Sequence, residues 1–382
     1  MRLAQNETIA KEILAFRLDM HQYPELSNQE FKTTQKIKDA LSSHGIEIGD
    51  YELKTGLVAV IKGEQAGPVI ALRGDIDALP ITEETGSEYR SKVNGVMHAC
   101  GHDFHTSAVL GAAILLNQNR TQIKGEIRII FQSAEETGLG APEFIKAGVI
   151  DNVSAIFGIH NDPMLPIGIV GSKSGALTAG VDRFEVVINA KGAHAAKPHE
   201  GNDPIIILGQ IITTLQTIIS RKVASNENAV VSITEVRSGN TWNVIPDSAY
   251  IQGTVRTFNP SVRAQIETEM RTILSGFAIV FHADIELKWH AGPPSVMNTD
   301  YLVEYALSHA KANQFEPQIV EASPIGEDFA FFQEQVPGAF LMIGTSGQYP
   351  LHHPKFSVND AVLYPTAHYL AEIVLNAYQT VK

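Results

Sequence analysis

Pro68-Val-Ile-Ala-Leu-Arg-Gly-Asp-Ile-Asp77 is a short apolar run, enriched in β-branched residues, that ends in two carboxylates. It reads as a buried strand with polar groups just past its C-terminal end. Gly125-Glu-Ile-Arg-Ile-Ile-Phe131 and Ser154-Ala-Ile-Phe-Gly-Ile159 have the same character, and Asp103 to Gln118 and Ala141 to Ala147 read as helices between them. Strands alternating with helices predict an α/β domain built in layers around a parallel or mixed sheet.

The middle of the chain has another rhythm. Asp182 to Ala190, Ala229 to Arg237, Ala249 to Phe258 and Ala283 to Trp289 read as strands, with helices over Asp203 to Arg221 and Ser261 to Phe277. The order βαββαβ predicts a compact ferredoxin-like α+β unit. Gly175 to Gly180 and Ala291-Gly-Pro-Pro294 bracket it as hinge-like links. The first style then resumes, with a helix over Tyr301 to Asn313 and a strand near Ala339 to Ile343. The expected organisation is a discontinuous α/β domain over residues 1–180 and 293–382, interrupted by a satellite domain over 181–292. Domain termini that lie close together at the surface tolerate such insertions. The sequence contains no internal repeat or low-complexity tract.

The 382 residues carry a net charge of −13, which repels nucleic acid and anionic membrane surfaces. Hydrophobic content of 44% with 19% charged residues is that of a globular protein. The single cysteine forbids an internal disulfide and points to a reducing cytoplasm. Met1 to Asp19 mixes Arg2, Glu7, Lys11, Glu12 and Arg17 with apolar residues, so it reads as an amphipathic helix and not as a signal peptide. No run of about 18 apolar residues predicts a membrane span.

Polar clusters recur where strands end. Asp75 and Asp77 follow the first run, Glu135 and Glu136 the second, His160 the third, and His352-His353 follow the Ala339 strand by a loop. The crevice outside the carboxyl ends of strands is where α/β sheets bind ligands. Met97-His-Ala-Cys-Gly-His-Asp-Phe-His105 adds the only thiol, beside imidazoles, at a helix start whose positive end would favour a thiolate. Thiolate, imidazole and carboxylate together suit Zn²⁺, with Mn²⁺, Co²⁺ or Ni²⁺ as competitors. Cys100, His102, Glu136, His160 and His352 make five donors, enough for two divalent ions sharing a bridging Cys or water. Of the adjacent Glu135 and Glu136, whose side chains diverge, one can ligate while the other faces the attacking water as general base.

These segments, with Gln132-Ser-Ala-Glu-Glu136, Gly158-Ile-His-Asn161 and Gly192-Ala-His194, resemble the M20 family of metallopeptidases and amidohydrolases from about His21 to the C-terminus. Within it they are most similar to the M20D branch of hippurate hydrolases, N-acyl-amino-acid amidohydrolases and auxin-conjugate hydrolases. The resemblance implies a zinc-peptidase-like catalytic domain with a satellite for dimerisation or lid closure. It places two divalent ions per subunit on Cys100, His102, Glu136, His160 and a C-terminal His. The pattern His-x-Pro selects His352, with His353 as rival. It makes Glu135 the catalytic base and Asp77 the carboxylate that orients a ligand. Ser133 stands where the family has proline. In the satellite, His194 resembles the histidine that reaches a partner subunit's site to stabilise the oxyanion. Asn243 and Arg256 match family positions, and an arginine fork suits a substrate carboxylate. Gly326-Glu-Asp-Phe329 resembles a motif of the pocket wall. The implied activity is hydrolysis of N-acyl amino acids by a cytoplasmic homodimer or higher homo-oligomer. The alternatives are a dipeptidase or aminopeptidase, a deacetylase narrow for an N-acetylated sulfur amino acid or diaminopimelate, or a metal-dependent binding protein without turnover.

Overall fold

The Gln65–Asp75 strand lies within an eight-stranded sheet of the computed structural model, which describes residues 3–381. From edge to edge the order is Glu47–Ile48, Leu57–Lys62, Lys124–Gln132, Gln65–Asp75, Val153–Asp162, Gly338–Gly344, Ile169–Ser172 and Glu316–Ile319. Lys124–Gln132, Gln65–Asp75, Val153–Asp162 and Gly338–Gly344 are mutually parallel neighbours, so their C-terminal ends share one edge. Leu57–Lys62 runs antiparallel to both its neighbours, and Ile169–Ser172 runs antiparallel to Gly338–Gly344 but parallel to Glu316–Ile319, which makes the sheet mixed. Register aligns the ends: Asp75 pairs with Gln132, Arg73 with Gly158, and His160 with Met342. Two residues beyond Gly158, His160 is therefore level with Asp75.

Both faces of this sheet are covered, which is why its parallel strands are continuously apolar rather than alternating. On one face Glu7–Gln22, His102–Gln118 and Leu363–Asn376 pack together through Ile9, Ile13, Phe104, Leu115 and Leu370. On the other, Phe144, Phe329, Phe332 and Phe340 form a second core. The His102–Gln118 helix is buried from His102 through Leu116. Its polar first turn is thus sealed from water and must find partners inside the protein. The expected N-terminal helix runs from Glu7, and the part of that expectation at Met1 and Arg2 lies outside the described residues.

The described chain divides into two compact units, one comprising Met1–Leu177, Val296–Glu321 and Asp328–Lys382, the other Thr178–Ser295 with Ala322–Glu327. The sequence reading leaves Ala322–Glu327 with the catalytic domain. Instead, the backbone N–H of Ala179 donates to the carbonyls of Ser323 and Ile325, and Thr178 bridges to Ser323.

In the second unit the sheet order is Ala229–Ser238, Ser248–Thr257, Gly180–Asn189, Asp284–Ala291, antiparallel throughout. Taken in chain sequence that is second, third, first, fourth, the order a βαββαβ unit produces when its helices share one face. Phe184, Val186 and Ile188 alternate with outward residues and pack on Ile207, Ile211, Ile266 and Met270 of the helices. Both helices begin with proline behind a capping side chain: Asp203 accepts from the N–H of Ile205 (2.9 Å), and Asn259 from that of Ser261 (2.9 Å). Among the described residues one helical stretch, Pro204–Lys222, is long and apolar enough by composition to cross a membrane, with a mean hydropathy of 1.3. Its Ile207, Leu208, Ile211, Leu215 and Ile218 recur at helical spacing and are buried in the core of this unit, while Gln210, Thr213 and Gln216 face outward. That is the pattern of a helix lying on a sheet.

Candidate metal centre and active site

Local backbone geometry brings the candidate donors together. Gly101 takes φ +90°, and its carbonyl accepts the N–H groups of Phe104 (2.9 Å) and His105 (3.1 Å), which starts the helix directly after Cys100. Only glycine adopts such a turn without strain. The N–H of His352 donates to the carbonyl of Ala99 at 2.8 Å, with His352 at φ 64°, which pins the C-terminal loop against this segment. After the Lys124–Gln132 strand, Ala134 (φ 59°, ψ 32°) reverses the chain into a single turn carrying Glu135 and Glu136.

Ligating atoms of Cys100, His102 and His160 lie within 4.8 Å of one another, as do those of Cys100, Glu136 and His352, and those of His102, Glu135 and Glu136. Cys100 belongs to two of these groups. Its Sγ is 3.4 Å from His160 Nε2, and His352 Nε2 is 3.5 Å from Glu136 Oε1. His353 is not among them: its ring stacks on Tyr349 and its Nδ1 accepts from the N–H of Lys355 (3.0 Å).

The hydrogen bonds fix which ring nitrogens are free. His102 Nδ1 lies 3.1 Å from Asp77 Oδ1, and His160 Nδ1 donates to the carbonyl of Asn161 (2.7 Å). Both rings therefore turn Nε2 toward the cluster. Asp77 also accepts from Ser27 Oγ (2.7 Å) and from the N–H of Glu136 (3.0 Å), so one carboxylate orients two candidate ligands. Among the described residues, His102 Nε2 and Glu136 Oε1 are buried with no hydrogen-bond partner. Buried polar atoms left so are costly unless something outside the protein chain meets them. A soft thiolate, imidazole lone pairs and carboxylate oxygens facing one another are the donor set of a divalent transition ion.

The electrostatics agree. Burial alone would lower the His102 ring, yet Asp75, Cys100 and Asp77 hold it well above its ordinary value. An environment that draws a proton so strongly also draws a cation. One sequence expectation is corrected here. The helix start does not favour the thiolate in the protein alone: burial, with Glu136 beside it, pushes the Cys100 thiol well up.

Several residues around the site lie within the stretches read from the sequence, where no individual role is given to them. His105 Nδ1 lies 2.6 Å from Asp75, and its Nε2 accepts from the N–H of Asn161 (2.8 Å). Asp75 also accepts from Arg73 (2.6 Å), a wholly buried guanidinium, and burial's upward push on its carboxyl is overcome by His102, His105 and Arg73. Behind the helix start, Asp103 meets His21 (2.8 Å) and Arg17 (3.3 Å). Arg73, a charged residue inside an apolar strand, is a further signal that could have marked this network.

In the second unit, His194 lies exposed on the short strand Ala193–His194, which pairs with Val244–Ile245. The N–H of Ala195 donates to the carbonyl of Asn243 (3.1 Å), so His194 and Asn243 share one edge. Arg256 sits in the Ser248–Thr257 strand, opposite Val181 and Val230. Burial holds its guanidinium below the ordinary value, partly offset by Asp182, whose carboxylate is already taken by Arg263 (2.8 Å). Among the described residues no side-chain hydrogen bond or ion pair joins Arg256 to His194 or Asn243.

Comparison with known proteins adds independent findings. The family model described as Peptidase family M20/M25/M40 matches residues 71–376. An N-acetylcysteine deacetylase of Bacillus subtilis (strain 168) is 48% identical over 371 residues, covering 97% of this chain and 98% of that protein. An IAA-amino acid hydrolase of Arabidopsis thaliana (ILR1-like 5) is 35% identical, covering 98% and 88%. Among solved structures, a Bacillus subtilis protein described as a dinuclear metal-binding peptidase from the M20 family superposes with a TM-score of 0.89 at 45% identity, covering 98% of this chain and 100% of that one.

Proposed function

The chain belongs to peptidase family M20/M25/M40, a metal-dependent hydrolase, and from that premise we propose that it cleaves the amide bond of N-acyl amino acids, releasing a carboxylic acid and a free amino acid. The observation that carries this reading is the gathering of Cys100, His102, Glu136, His160 and His352, with Glu135 beside them, past the ends of parallel strands. The substrate class follows from the relatives, one named for an N-acetyl amino acid and another for an IAA-amino acid. The 48% identity to the deacetylase makes N-acetylcysteine the first substrate to test.

Two divalent ions, Zn²⁺ or Mn²⁺ with Co²⁺ or Ni²⁺ as competitors, would be held by the five donors and would supply polarisation of the amide carbonyl and a lowered pKa for water. Glu135 takes a proton from the attacking water at its carboxylate and returns it to the leaving nitrogen, since neighbouring Glu136 is turned to the donor cluster. Asp77 holds the proton on His102 Nδ1 and so keeps Nε2 free to donate its lone pair. His194, supplied by a neighbouring subunit, stabilises the developing oxyanion, and Asn243 and Arg256 bind the substrate, Arg256 through its carboxylate.

A homodimer through the second unit is part of the proposal. Its edge strand Ala229–Ser238 exposes Val230 and Val236, and the Pro204–Thr217 helix exposes Ile205 and Ile206. An exposed edge with apolar side chains invites pairing with a second copy. Use of the lone thiol as a ligand suits a reducing compartment, the cytoplasm.

Purified protein stripped by a chelator and assayed with N-acetyl amino acids and with free dipeptides, before and after Zn²⁺ or Mn²⁺, tests the reading. N-acyl substrates should be hydrolysed, and only after metal is restored. Hydrolysis of dipeptides alone would overturn the substrate class, and turnover indifferent to chelation would overturn the metal centre.

A further inference from the structure

Resting on the reading of Glu135 as base, we propose that Glu30 and Asp328 are positioning residues, two buried carboxylates that clamp the loop so as to aim Glu135, while the ligand Glu136 is held separately by Asp77. The loop needs holding. Ala134 lies in the left-handed region at φ 59°, a conformation that L residues with a Cβ enter only when the surroundings enforce it.

Three of the backbone N–H groups along this segment point at carboxylates. That of Ala134 donates to Glu30 Oε1 (2.8 Å), that of Glu136 to Asp77 (3.0 Å), and that of Ala141 to Asp328 Oδ2 (2.9 Å). Glu30 is fully buried, and its second oxygen accepts from Thr55 Oγ1 (2.9 Å). The carbonyl of Thr55 in turn accepts from Ser133 Oγ (3.0 Å), so the same jaw holds two successive residues.

Asp328 grips both ends of the loop. Its Oδ1 accepts from Arg73 Nη2 (2.8 Å) and from Gln132 Nε2 (2.8 Å), while Oδ2 accepts from Gln132 Nε2 (2.9 Å) and the N–H of Ala141. Its own backbone N–H donates to Glu135 Oε1 at 3.3 Å, so one residue both frames the loop and touches the base. Gln132 cannot turn its amide over, because its Oε1 accepts from Arg73 Nε (2.8 Å). With these donors on both oxygens, Asp328 is built to receive hydrogen bonds and is poorly placed to ligate a cation.

The donor inventory makes opposite predictions for two isosteric changes. Glu30→Gln keeps an oxygen for Ala134 and offers its NH₂ to Thr55 Oγ1, whose hydroxyl can accept instead of donate. Asp328→Asn has no such arrangement. Whichever way its amide turns, an NH₂ group faces the N–H donors of Arg73 and Gln132, or of Gln132 and Ala141.

The experiment measures kcat, KM, bound metal and thermal midpoint for E30A, E30Q and D328N, each alone and combined with E135Q. Small misplacement of a catalytic group costs on the order of 10²-fold. E30A and D328N should therefore lower kcat by about that factor, with KM and metal content held within about threefold. E30Q should recover kcat to within about threefold of the unaltered enzyme. In the E135Q background neither E30A nor D328N should lower the residual rate further, because both act through Glu135. Unchanged kcat in D328N, a full additional loss in the E135Q background, or loss of metal instead of turnover overturns the clamp. If D328N does not fold, equal kcat in E30A and E30Q overturns it alone. Full turnover in E135Q by itself would instead sink the base assignment on which the clamp rests.

Discussion

Gly101→Ala is the sharpest test of how this backbone builds the donor cluster. Gly101 separates Cys100 from His102 and takes φ +90°, and a Cβ there would lie 1.9 Å from Asn161 Oδ1 and 2.8 Å from its Cγ. Two costs follow. The positive φ costs an alanine roughly 1–2 kcal/mol. The overlap cannot be relieved by a swing into water, since Asn161 is wholly buried beside His160. Forcing extra volume into such packing costs about 1–3 kcal/mol. A middle value of about 3 kcal/mol lowers the unfolding midpoint of a unit this size by about 6–12 °C.

The displaced backbone also carries candidate donors on either side, and Asn161 adjoins another. Functional constellations tolerate errors of only about 0.5 Å, so metal affinity should fall about 10–100-fold. Gly95→Ala supplies the control: Gly95 has φ +74°, but nothing lies within 4 Å of its added Cβ. It should show only the conformational cost of about 1–2 kcal/mol. Unfolding of the chelated proteins and metal titration separate the two effects. A G101A protein as stable as G95A, with undiminished metal affinity, would refute the reasoning, as would a G101A cost that does not shrink in an N161A background.

Three further expectations use the same site. His352→Ala should reduce bound metal, measured on purified protein, whereas His353→Ala, which loses a stack on Tyr349, should not. Asp77→Asn puts an amide where a carboxylate receives His102, Ser27 and the N–H of Glu136, and metal titration should show about 10–100-fold weaker binding. His21 is raised from 6.5 to about 9: burial lowers it, but Asp103 and Glu83 more than compensate. Its contribution to stability is thus present in full below pH 6.5 and lost as pH rises through about 9. The gap in urea midpoint between the natural protein and H21Q should therefore narrow from pH 6 to pH 10, and a constant gap would contradict the ion pair.

What the sequence made legible follows from which interactions are local. The strands ending near Asp75, Gln132 and His160 were readable because both faces of a parallel sheet are covered, leaving unbroken apolar runs. The second unit was readable because Phe184, Val186 and Ile188 alternate with outward residues on a sheet with one open face. The Leu363–Asn376 helix went unread for another reason: it is buried from Thr366 to Asn376, and its polar residues His368, Glu372 and Asn376 find partners inside the protein instead of facing water. Asp328 and Glu30 were invisible as partners, since each bond to the Glu135 loop spans about half the chain or a quarter of it, and no spacing encodes such a contact.

Cys100 shows why even a correct local argument can point the wrong way. A helix start favours an anion by about 0.3–1 kcal/mol. Burying a charge costs several kcal/mol after relaxation. In a site that already holds Glu136 and Glu135, the second effect wins and the thiol keeps its proton. His102 pulls the thiol down but does not prevail, and a divalent charge held by the same donors adds what His102 lacks, because it is attracted to the carboxylates that the thiolate repels. The ionisation of Cys100 and the binding of a cation are therefore one event, so metal uptake by the stripped protein should release protons, and Cys100→Ser should release fewer of them.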